Sequence, residues 1–209
     1  MTSGLSIRVA GGILALLLSA LPACGLAASA DQPAFTLDRL MSLLAQRRQG
    51  EVSFTETDYL TLLDRPMKSS GVLVYRAPDH LEKKTLRPKP ESLVLQGDQL
   101  TVQRGHRTYR MQVSAYPQVA PYVDAMRDTL AGNEQALEKV FRVGLTGTLT
   151  DWKLELVPRD ADVARKVKHV EIDGARDVIR TVEILQADGD RSVMTLGAPS
   201  PGSGAGSGQ

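Results

Sequence analysis

The sequence of 209 residues has one cysteine, one tryptophan and 4% aromatic residues. A lone cysteine, Cys24, leaves no disulfide to staple the chain within itself, so folding must rest on an apolar core. With so few rings, any hydrophobic hollow would be lined by aliphatic groups, which suit flexible alkyl chains better than planar, stacking ligands. Charge of one sign is missing too: 25 basic and 24 acidic residues leave a formal net charge of +1. That balance supplies no strong field for nucleic acid or an anionic membrane, and nucleic acid is not expected as a partner.

Chemistry-bearing patterns are equally scarce. His80, His106 and His169 lie far apart, none with a second ligand at helical or strand spacing, so no metal site is expected. No serine sits in a G-x-S-x-G elbow and no glycine-rich phosphate loop follows a strand, so no cofactor is expected. Carboxylate pairs such as Glu56 and Asp58 read as a solvated strand face. A pair of acids assembled only by folding would be invisible at this level. The chain is read as a binding protein rather than an enzyme.

What is present begins with a leader. Arg8 precedes the apolar run from Val9 to Leu21, and Ala28-Ser29-Ala30 follows. This pattern predicts a secretory signal peptide over residues 1–30, removed after Ala30. The apolar run, about thirteen residues, falls short of the about 20 that span a bilayer. "LPAC" at 21–24 loosely matches a bacterial lipobox, which keeps lipid anchoring at Cys24 as an alternative. At the other end "APSPGSGAGSGQ", residues 198–209, has almost no apolar area and predicts a disordered tail. Between them, residues 31–197 make one domain with enough chain to bury a core and leave room for a cavity.

Thr36 caps "LDRLMSLLAQRRQG", where Leu37, Leu40, Met41, Leu43 and Leu44 recur at helical spacing. After Gly50 the period shortens. Strands are predicted near 51–63, 69–76, 80–86, 91–96, 99–104 and 107–113, separated by turns such as "DRP", "QGDQ" and "QRGH". A helical stretch follows at 117–140, then strands in "FRVGLTGTL", "DWKLELVP", "KVKHVEI", "DVIRTVEILQ" and "RSVMTL". This order predicts a mainly β, α+β fold: an unclosed antiparallel barrel with helices over its concave face, with a compact sandwich as the competing arrangement.

Large apolar side chains alternate along these strands: Leu73 and Tyr75; Leu93 and Leu95; Leu100 and Val102; Met111 and Val113; Trp152 and Leu154; Val182 and Ile184. They are candidates both for the core and for the lining of a hollow. Arg76 lies where the strand "GVLVYR" runs into Ala77-Pro78 and the sheet must bend or stop. Charge introduced at Leu95 or Met111 is expected to abolish loading.

Several segments, in order, carry a family likeness. They are the leader, "VSFTETD" after the first helix, "GVLVYRAP" at 71–78, "SLVLQGDQLTV", "DTLAGNEQALEKVF", "DWKLELVP" with Pro158, and "QADGDRSVMTL". The chain resembles the periplasmic lipoprotein carriers of the LolA type, and more closely their divergent LolA-like relatives. The resemblance implies a hollow that takes acyl chains of lipoproteins, a helical lid, and a monomer in transient contact with an inner-membrane donor and an outer-membrane acceptor. It also implies a latch arginine directly before the proline. Here Ala77 holds that place and Arg76 precedes it, so a bulge before Pro78 would be needed to turn the arginine inward. Glycolipid, polyketide or aryl polyene cargo is the alternative, and a lipid-responsive module that binds a membrane signalling protein is a second.

Overall fold

A computed structural model describes residues 35–115 and 120–198. The expected leader, Cys24, Pro117 and all but the first residue of the tail lie outside the described residues.

The first helix, α1 (Leu37–Ala45), opens on Thr36, whose hydroxyl accepts the Arg39 N–H at 3.3 Å. Six strands follow: β1 (Gln49–Tyr59), β2 (Met67–Arg76), β3 (His80–Arg87), β4 (Glu91–Gln96), β5 (Gln99–Arg104) and β6 (Arg107–Gln112). A 3-10 turn at Val113–Ala115 leads to α2 (Ala120–Ala131) and α3 (Glu134–Val140). The chain then returns to strands β7 (Phe141–Thr148), β8 (Asp151–Pro158), β9 (Val167–Ala175), β10 (Val178–Gln186) and β11 (Arg191–Leu196), with a short helix α4 (Ala161–Ala164) between β8 and β9.

All eleven strands belong to one antiparallel sheet, in the order β6-β5-β4-β3-β2-β1-β11-β10-β9-β8-β7. The sheet is an open half-barrel and not a two-sheet sandwich. Its ends are β6 and β7, which are neighbours in sequence and lie farthest apart in the sheet. The segment joining them must therefore cross the sheet, and this connection carries α2 and α3. A lid is thus a consequence of strand order.

The long helical stretch expected over 117–140 is broken at Gly132, which has φ +67°. A Cβ there would collide with the Met41 carbonyl, so glycine lets the α2–α3 corner rest directly on α1. Asn133 then caps α3, its side-chain oxygen accepting the Ala136 N–H at 3.2 Å.

The strand expected over 51–63 stops at Tyr59. Beyond it the Thr61 N–H and hydroxyl donate to Asp190, at 2.7 and 2.9 Å, which holds the chain in a turn. Leu62 there is 95% exposed.

The core sits on one wing of the sheet. Leu40, Met41 and Leu44 of α1 and Leu137 of α3 pack on Phe141, Trp152, Leu154, Leu156, Val170 and Ile172. These strand residues share a face because register aligns them: Leu145 opposite Leu154, Leu154 opposite Ile172, and Ile172 opposite Val182. The same face continues across the other wing as Tyr75, Leu81, Leu95, Leu100 and Met111, and beside them Leu73, Lys83, Leu93, Val102 and Tyr109.

Candidate functional site

Between the concave face and the helices lies a hollow of about 120 Å³. Its wall draws on β1 and β2 (Val52, Leu73, Tyr75), on β9 to β11 (Val170, Ile172, Val182, Ile184, Met194, Leu196), and on Leu81 of β3. Leu44 of α1 and Thr129 and Leu130 of α2 close it from above. Strand alternation explains the composition: every second side chain of the central strands points here, and the sequence places Val, Leu, Ile or Met at most of these positions.

Part of the wall is polar. α1 ends at Ala45, two residues before Arg47, although the helical segment expected from the sequence ran on through both arginines. Arg47 is thereby released from the helix, and its Nη2 donates to Asp177 at 2.5 Å. Its stem runs past Gly50, with Cδ 3.9 Å from the place a Cβ would occupy. Gly50 is the cross-strand partner of Tyr75. Arg47, Tyr75 and Thr129, from three different segments, all reach the wall. Burial pushes the Tyr75 phenol above its usual range, an effect partly offset by Arg48.

Farther along the central strands, the same face carries a second polar group. Lys83 Nζ bridges to Glu56 Oε2 at 2.5 Å and lies 5.2 Å from the centre of the Phe54 ring. Ser69 and Ser192 donate to the same carboxylate at 3.2 and 3.3 Å. Glu56 is therefore not part of a solvated strand face, its side chain being only 14% exposed. The bridge crosses Gly71, where a Cβ would strike the Lys84 carbonyl and crowd Phe54.

Of the residues singled out in the sequence, Leu73, Tyr75, Val182 and Ile184 line the hollow. Trp152 and Leu154 do not; they are sealed in the core, with Trp152 Nε1 donating to the Arg176 carbonyl at 3.0 Å. Leu95 is buried on β4, and Val113 is buried in the turn that begins the lid connection. Leu93, Leu100, Val102 and Met111 share the concave face, but on the uncovered wing, where they are half-buried.

Arg76 is not at the hollow. The register Gln49–Arg76–His80 runs without a bulge, so Arg76 faces the side opposite to Tyr75, exposed, with Nη1 3.5 Å from His80 Nε2. The arginine on the wall is Arg47. Its run "RRQG" was visible as a helix end, and its use was not, because Asp177 lies 130 residues away.

The lid connection is tied to the β4–β5 turn. Ser114 donates its N–H and hydroxyl to Asp98 at 2.9 and 2.6 Å, which holds that exposed carboxyl below its usual range. Arg127 of α2 pairs with Asp124 at 2.7 Å and reaches the Gly97 carbonyl at 3.5 Å. Among the described residues no three His, Cys, Asp or Glu side chains come together as a metal site would require.

A family model described as "Outer membrane lipoprotein carrier protein LolA-like" matches residues 27–206. No curated protein matches the chain. Among solved structures, a LolA superfamily protein from Nitrosomonas europaea is similar at 11% identity and a TM-score of 0.42, over 80% of this chain and 94% of that one. A DUF1329 family protein from Desulfovibrio piger has 9% identity and a TM-score of 0.46, over 80% and 91%. The Mycobacterium tuberculosis lipoprotein LppX has 14% identity and a TM-score of 0.43, over 79% and 96%.

Proposed function

The chain belongs to the family of LolA-like outer membrane lipoprotein carrier proteins, and on that premise we propose that it is a periplasmic carrier that shelters acyl chains between its sheet and its helical lid and moves them toward the outer membrane. The observation that carries this reading is the hollow itself, whose wall is aliphatic over most of its extent. Each methylene buried there contributes about 0.8 kcal/mol, so a chain of about 15 offers on the order of 12 kcal/mol before the costs of binding.

At about 120 Å³ the hollow is well below the ~300–1,000 Å³ of pockets that enclose whole drug-sized ligands. It is nearer to the about 150 Å³ apolar cavity that takes one benzene. A full acyl chain would enter only if α2 lifts, after which Leu93, Leu100, Val102 and Met111 offer a continuous apolar path on the uncovered wing. In this reading the lid couples loading to release. Export would be directed by residues 1–30, leaving residues 31–197 as the working domain.

Catalysis is the weaker reading. The family's description is that of a carrier, and among the described wall residues the one carboxylate, Asp177, is ion-paired with Arg47 instead of facing a second acid. The test is lipid extraction and native mass spectrometry of the protein purified from the periplasm. Recovery of an acyl-bearing or polyene ligand supports carriage. Protein that is empty as isolated, and that stays empty after incubation with lipid vesicles, sinks it.

A further inference from the structure

Resting on the carrier reading, we propose that the polar side chains in the wall of the hollow converge on a neutral carbonyl of an ester-linked acyl chain, held by Arg47, Tyr75 and Thr129.

Among the described residues, the buried side-chain nitrogen and oxygen atoms that lack a hydrogen-bond partner are Arg47 Nε, Tyr75 Oη and Thr129 Oγ1. All three residues belong to the wall of the same hollow. Tyr75 is 6% exposed and Thr129 1%. Folded interiors pair nearly all such groups because an orphan forfeits its bonds to water. Three orphans from three separate elements at one apolar cavity mark a place where a partner is expected and the protein does not supply it.

Their chemistry selects that partner. Arg47 Nε–H can only donate, and the two hydroxyls can donate as well, so the shared complement is an oxygen acceptor. Burial keeps the Tyr75 phenol protonated and able to donate. Charge then separates carboxylate from ester. Asp177 already neutralises the Arg47 guanidinium, and Arg48, the cation acting on Tyr75, is exposed and screened by solvent. Bringing a carboxylate into this aliphatic hollow would leave a charge without a free counter-charge, whereas an ester carbonyl brings none. Thr129 lies on the lid while Arg47 and Tyr75 lie beneath it, so a carbonyl bonded to all three also fastens α2 over the bound chain.

The test compares methyl dodecanoate, dodecanoate and dodecane, matched in length, by calorimetric titration of wild type, Tyr75→Phe and Thr129→Val. The expected result is that wild type holds the methyl ester about tenfold more tightly than dodecane. Each variant should weaken the ester about five- to tenfold and leave dodecane within about twofold, with a melting temperature equal to or above that of wild type. An ester bound no more tightly than dodecane, or a variant that weakens all three probes equally, overturns the seat while leaving the apolar hollow in place. Tighter binding of dodecanoate than of its methyl ester overturns the neutral carbonyl. Failure of all three probes to bind wild type overturns the carrier reading beneath it.

Discussion

In the wing from β7 to β10, Phe141, Leu154 and Leu156 are sealed from solvent, whereas on the same face of the wing from β3 to β6 Tyr109 keeps 47% of its surface. Both wings alternate apolar and polar side chains. The difference lies in what covers them: α1 and α3 rest on the first, while the described helices leave β4, β5 and β6 mostly open. Alternation therefore marks a face that is able to be buried; the crossing connection decides which part of it is. One wing is sealed to hold the fold, and the other is left open to solvent.

The sharpest way to break this comparison is a matched pair of truncations. Leu154→Ala should cost about 2–5 kcal/mol, since it opens a cavity in a sealed core. Leu100→Ala, at an equivalent alternating position on the open wing, should cost less than about 1 kcal/mol. Urea unfolding measures both, and similar costs would mean that the open wing is as tightly packed as the other.

Next in size is the effect of charge on loading. Ile184→Asp places a carboxylate in the wall of the hollow and should cut apolar ligand occupancy by more than about tenfold. Met111→Asp sits on the uncovered wing and should lower it only a few-fold, so the total loss expected from the sequence at this position moves to Ile184. Native mass spectrometry of variants that still melt cooperatively reads the contrast. Equal losses would extend the working site across both wings.

Much of the fold was legible because it is local. The Thr36 cap, the period change after Gly50 and the turn residues between strands fix elements within a few residues of their observed limits. The exceptions are instructive. Leu60, Leu62 and Leu63 look like strand, yet a turn pinned by Asp190 ends β1 first. At the site, alternation found Leu73, Tyr75, Val182 and Ile184, and it could not separate them from Trp152 and Leu154, which have the same pattern with helices pressed upon them. Arg47 with Asp177, and Glu56 with Lys83, were illegible because each pair forms through strand order across the sheet. The β1–β11 pairing that brings the two halves of the chain together leaves no mark in any short window.

A smaller effect probes the middle of the sheet, between the wings. Lys83 and Glu56 are partly shielded, with side chains 27% and 14% exposed. Exposed pairs are worth about 0–1 kcal/mol, and breaking a fully buried one costs about 3–5. Lys83→Met should therefore destabilise by roughly 1–2 kcal/mol, the remaining carboxylate being held by Ser69 and Ser192. Adding Glu56→Gln should recover most of that loss in a double-mutant cycle. A double variant worse than Lys83→Met alone would show that the carboxylate has a role independent of the lysine.

The smallest effect concerns the lid itself, and it carries a sign in pH. Burial pushes the Asp128 carboxyl of α2 upward, only partly offset by Arg127. Because the folded chain holds this proton more tightly than the unfolded one, stability on this account is greatest below the unfolded carboxylate value near 3.9, and falls as pH rises from there to the raised folded value. Above that the penalty is constant, so at neutral pH the ionised carboxylate weakens the seat of α2. Asp128→Asn removes the charge while keeping a side chain that can still accept from Asn133. Its melting temperature should exceed that of wild type at pH 7, with the gain fading as the pH is lowered through the carboxylate range. If the lid's looseness serves loading, the variant should also take up an apolar ligand more slowly. A gain in stability that persists unchanged at low pH would assign it to packing and detach it from the charge on the lid.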